Sequence, residues 1–136
     1  MLRFLGNTLR IPIVGLGTKQ AQIAVRSDDQ LENRFEPIPL PTWQDDTIFA
    51  RLLASFERAL PLRERSALAD APELRSLVLR RSTGLIGEVA ALLTAATVHA
   101  FLHGHECIDR GMLDGCDYRG PDERRALFEA SFPRVR

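Results

Sequence analysis

Thr18 and Arg34 are the residues whose types and positions bear most directly on chemistry. A threonine hydroxyl donates and accepts hydrogen bonds at once. Thr18 closes the run IPIVGLGT (11–18), at the carboxyl end of an expected strand, where open α/β sheets place their ligands. It is equally a good N-cap for a helix starting at Lys19, and spacing alone leaves both roles open. Arg34 keeps its charge across the physiological range. Beside Glu32 and Glu36 it reads, taken alone, as a surface ion pair of small energetic value. Lys19 in a first helical turn opposes the helix dipole, which points to an anionic neighbour such as DNA or phosphate.

A second group, His99, His103, His105 and Cys107, has the composition of a metal site, with two histidines four apart on one helix face. Against zinc, His105 and Cys107 lie beyond Gly104, Cys116 is distant, and no Cys-x-x-Cys pair is present. Surface histidines at a helix end, stabilised there by the dipole, are the simpler reading. We therefore expect no metal. The two cysteines make no disulfide framework, and a reducing cytoplasm is the expected compartment.

Composition bounds the rest. The chain has 136 residues, 45% of them apolar, enough for about one domain. Eighteen basic and 18 acidic residues give no net charge, so no bulk field draws the chain to nucleic acid or membrane. No apolar run approaches the roughly 18 residues of a membrane span. No secretory cleavage pattern follows Met1, and there is no internal repeat. The sequence holds no G-x-x-x-x-G-K-[ST] stretch to cradle phosphates and no acidic strand to hold magnesium.

The elements that must position these residues follow from pattern. Residues 1–9 suit a short amphipathic helix, with apolar residues at 2, 5 and 9. Ile11–Leu16, an apolar run flanked by Gly and Pro, predicts a strand buried on both faces. A helix from Lys19 breaks at Ser27-Asp28-Asp29, where either aspartate can cap a short helix leading to Arg34. Ile38–Leu40, between Pro37 and Pro41, predicts a short terminal strand passing into a linker, which places a domain boundary at 41/42.

From Trp43 the pattern is all-helical. Asp45 to Leu60 carries a helical stripe capped by Asp45 or Asp46. A helix opens at Ala71-Pro72-Glu73 and ends at Arg80-Arg81. The longest helix, 85–102, should be central, with Ile86, Val89, Ala90, Leu93, Ala96, Thr97 and Ala100 on one stripe, widened by Leu85 and Leu92. A short helix starts near Ile108-Asp109. A last one opens at Asp122, with Leu127, Phe128 and Phe132 as its apolar face.

This order resembles the second half of an AAA+ nucleotide-binding core, most closely the TniB/TnsC family of transposition ATPases. The resemblance rests on IPIVGLGT (11–18), QLENRFEPIPLP (30–41), GLIGEVAALLT (84–94) and DYRGPDERRALFE (117–129). It implies a mainly α fold with a small α/β part. Residues 1–41 would be a partial AAA+ core of two short strands plus helices, and 42–136 an all-helical lid with a C-terminal tail. Thr18 would be sensor 1, which bonds the attacking water or the γ-phosphate. Arg34 would be an arginine finger acting in trans on the neighbouring subunit's nucleotide. The sensor-2 arginine expected in Gly84-Leu85-Ile86-Gly87 is replaced by Gly87, so that role is unassigned, with Arg80 or Arg81 as conceivable substitutes.

The family binds ATP and magnesium, oligomerises on DNA and recruits a transposase; the phosphate loop and acidic strand would lie upstream of Met1, which then reads as an internal start or truncated frame. The chain alone is not expected to be an enzyme or to bind a cofactor. Two rival readings are a helical interaction module, binding a transposase or an ATPase ring, and a nonfunctional remnant of a transposon gene.

Overall fold

The structure, a computed structural model, describes residues 8 and 10–131. All but residue 8 of the helix expected over 1–9, and Phe132, lie outside the described residues. The chain divides into two compact units, Met1–Leu40 and Pro41–Arg136.

In the first unit, α1 (Lys19–Arg26) and α2 (Asp29–Glu32) follow one another and pack together. Asp28 breaks the chain between them and caps α2, its carboxylate accepting from the amides of Gln30 (2.9 Å) and Leu31 (3.4 Å). Arg26, in the last turn of α1, lies 3.8 Å from Glu32. None of the unit's described residues is buried; Ile13, Val25, Leu31 and Phe35 are half-buried.

The two expected strands do not form. No strand occurs among the described residues, and the apolar side chains of those segments stand in solvent, from Ile11 at 54% exposure to Leu16 at 90% and Leu40 at 87%. The physical reason is pairing. A strand is stable only within a ladder, and two strands alone are marginal in water. Pro37, Pro39 and Pro41 further remove amide donors from the second segment. The mainly α character therefore holds, and the α/β part is corrected to helix and irregular chain.

The second unit is a helical cluster with its own core. It comprises α3 (Thr47–Ala59), α4 (Pro72–Ser82), α5 (Ile86–Leu102), α6 (Arg110–Gly115) and α7 (Pro121–Ser131). Caps fix the ends. Asp46 accepts from the Phe49 amide at 2.8 Å, and Asp109 from the Met112 amide at 2.8 Å. Pro72 and Pro121 open their helices where a missing amide costs nothing. Phe49, Leu53, Leu77, Val78, Val89, Leu92, Leu93, Ala96, Ile108 and Leu113 fill the core. Leu85 and Ile86, expected to face inward, are 45% and 52% exposed, because the buried face of α5 begins at Val89.

The α3–α4 connection is irregular yet anchored. Buried Leu68 enters the core, Ser66 Oγ accepts from the Ile108 amide at 2.8 Å, and the Glu64 amide donates to the Glu106 carbonyl at 3.0 Å. Glu57, whose side chain is only 7% exposed, accepts from the Ala67 amide at 2.8 Å. Among the described residues no single helix is long and apolar enough to cross a membrane; α4 and α5 together reach that length only as a pair bent by 117°.

Candidate functional site

Thr18 stands immediately before α1, with extended backbone (φ −83°, ψ 178°), and its carbonyl accepts from the Gln22 amide at 3.1 Å. Its hydroxyl makes no capping bond, so the side chain is exposed and not spent on the helix. The turn before it is tight: a methyl group built on Gly17 would lie 2.5 Å from Ala21 Cβ.

Arg34 follows α2 on a turn closed by bonds from its own amide and that of Phe35 to the Leu31 carbonyl, each 3.0 Å. Half-buried Phe35 anchors the turn, while the Arg34 residue is exposed. Both candidate residues thus belong to the first unit, one preceding α1 and one following α2. They do not make a nucleotide cradle, and the 136 residues contain no phosphate loop to supply one.

In the second unit, Arg81 is bonded within the fold. Its Nη1 donates to the Leu113 carbonyl and its Nη2 to the Tyr118 carbonyl (2.8 Å), with the guanidinium 5.3 Å from the Tyr118 ring centroid. It fastens the end of α4 to α6 and to the segment that follows it. Gly87 is exposed, and a methyl group built on it would meet nothing within 4 Å.

The His99 and His103 rings lie 4.1 Å apart, and His103 Nδ1 is 2.8 Å from the His99 carbonyl. Among the described residues no three His, Cys, Asp or Glu side chains come together as a metal site. Burial, with Glu64 and Asp109 nearby, pushes the Cys107 thiol above its ordinary pKa, which disfavours the thiolate a metal would need.

One constellation escaped sequence reasoning. Glu88 of α5 accepts from Arg124 of α7 and from the Tyr118 hydroxyl (2.8 Å). These donors hold its carboxyl below the ordinary range, Arg124 contributing most. Tyr118 is buried, and its phenol is pushed well above its ordinary pKa by burial and by the facing carboxylate. The partners lie 30 and 36 residues apart, too far for local periodicity to reveal. The only signal was the Tyr-Arg-Gly-Pro turn followed by a charged helix start.

Residues 1–45 match the family model described as bacterial TniB protein. The match spans both Thr18 and Arg34 and about a third of the chain, and it gives the first unit a TniB-like sequence. No curated protein and no solved structure matches the chain.

Proposed function

We propose that this chain is the C-terminal portion of a TniB-like AAA+ transposition regulator. In this reading Thr18 is the sensor-1 hydroxyl, Arg34 the arginine finger acting in trans, and the second unit the helical lid. The observation that carries it is the TniB match over residues 1–45, which takes in both IPIVGLGT and the Arg34 segment. The exposure of Arg34 supports it as well, since a finger must reach a neighbouring subunit. A guanidinium suits that role because its fixed charge and forked donors spread over the transferring phosphoryl oxygens.

In this account ATP and magnesium are held by the phosphate loop and acidic strand of the family, and the present residues act on the nucleotide from outside that cradle. The chain by itself is then no ATPase. Its partners are other subunits of the oligomer, target DNA and a transposase, in the cytoplasm. The test is the effect of Arg34→Ala on nucleotide binding and on hydrolysis, measured separately, in a full-length relative carrying this segment.

A second reading, a helical interaction module, is favoured by one observation. The second unit has a core of its own and lies almost wholly beyond the matched residues. Such a module would bind a transposase or an ATPase ring without any part in hydrolysis.

A further inference from the structure

The turn that carries Arg34 is held, at one remove, by Asp28. α2 has four residues, and so short a helix fixes several backbone angles for each hydrogen bond it gains. It needs support at its ends. Asp28 supplies this twice. Its carboxylate accepts from the amides of Gln30 (2.9 Å) and Leu31 (3.4 Å), and its carbonyl from those of Leu31 (2.8 Å) and Glu32 (2.9 Å). Leu31, so held, offers its own carbonyl to the amides of Arg34 and Phe35, each at 3.0 Å. Asn33 closes the other end on the Asp29 carbonyl, through its amide at 3.2 Å and its Nδ2 at 2.8 Å. One line of bonds thus runs from Asp28 through Leu31 to Arg34.

The surrounding supports are weak. Arg26 and Glu32 lie 3.8 Å apart with 58% and 52% of their side chains exposed, and a pair so solvated contributes little. Leu31 and Phe35, one helical turn apart, are half-buried, and none of the unit's described residues is buried. With so little burial the turn has small reserve against the loss of a cap.

We infer that Asp28 is a positioning residue for Arg34, setting the one-turn helix that ends in the arginine-bearing turn. The inference rests on the reading of Arg34 as an arginine finger. What position 28 requires is a short side-chain oxygen at an N-cap, and not a negative charge. Asparagine and serine therefore satisfy it, and alanine does not.

The test has two arms. In the chain itself, backbone carbon chemical shifts over 29–35 report the turn. Asp28→Ala is expected to move them toward random-coil values, and Asp28→Asn and Asp28→Ser to keep them. In a full-length TniB-family ATPase carrying this segment, Asp28→Ala is expected to leave nucleotide affinity and assembly near normal. Its turnover should fall by about two- to thirtyfold, the factor that the free energy of a lost cap converts to. Asp28→Asn and Asp28→Ser should restore turnover. Added to Arg34→Ala, Asp28→Ala should cost nothing more, because the group it positions is already gone. A merely structural role would instead lower turnover further in that background, and that result would overturn the inference. Unmoved shifts in Asp28→Ala, normal turnover in Asp28→Ala where Arg34→Ala is impaired, or no rescue by asparagine and serine would overturn it too, with the finger reading left standing. Normal turnover in Arg34→Ala would overturn both.

Discussion

Arg124 of α7 forks onto Glu88 of α5, with Nη2 2.6 Å from Oε1 and Nη1 3.2 Å from Oε2. The Tyr118 hydroxyl adds a third donor. These bonds fasten the last helix to the central one, and they make a specific acid dependence. Glu88 is held below its ordinary value of 4.5, first by the Arg124 hydrogen bonds and then by Tyr118. A depressed carboxyl contributes stability that is whole above the unfolded value and lost as pH falls through the folded one. The melting-temperature gap between wild type and Glu88→Gln is therefore expected to be constant above about pH 5.5 and to close as pH drops below about 4.5. A gap that is unchanged or wider in acid contradicts this.

Gly84 links the end of α4 to the start of the second unit. It adopts φ +69°, and a methyl group built on it would lie 2.6 Å from the Trp43 carbonyl oxygen, while the Trp43 amide donates to the Gly84 carbonyl at 2.8 Å. Gly84→Ala combines left-handed strain with that clash, so a loss of about 2–4 kcal/mol is expected. Gly87→Ala, in open space on α5, should instead be neutral or stabilising by up to ~1 kcal/mol. Thermal or urea melts of the two variants distinguish the positions. Equal effects would show that the Gly84 contact with Trp43 is unimportant.

Hydrogen exchange should differ sharply between the units. Among the described residues the first unit buries none, whereas α5 buries six. Amides from 10 to 40 are expected to exchange fast and those of 86–102 slowly, because exchange tracks the free energy of local opening. Strong, equal protection in both regions of a verified monomer would mean that the first unit has stable structure of its own.

How much of this was legible in the sequence depended on the range of the interaction. The helix at Pro72, a cap at Asp28 or Asp29 and another at Asp45 or Asp46, and the long helix ending at Leu102 were readable because propensity and capping act within a few residues; the fold selects Asp28 and Asp46. The segments Ile11–Leu16 and Ile38–Leu40 read as strands because their composition suits one, but a strand needs a partner that local pattern does not supply. Ser66 and Leu68 were passed over because an irregular connection has no period to betray burial. Arg81 looked like a helix-end charge, and only the fold shows it bonded to the carbonyls of Leu113 and Tyr118. Thr18 and Arg34 came from resemblance to the TniB family. Their exposure left no trace in the apolar pattern.

The account stands most directly on Arg34. In a full-length TniB-family ATPase carrying this segment, Arg34→Ala is expected to leave nucleotide binding and oligomerisation near normal. It should lower ATP hydrolysis by about 10³-fold or more, the scale of a lost arginine finger. Adding subunits that retain Arg34 but lack a working phosphate loop should restore part of the activity, the outcome that the proposed in-trans role requires. Normal hydrolysis by an Arg34→Ala protein that assembles normally would contradict the assignment.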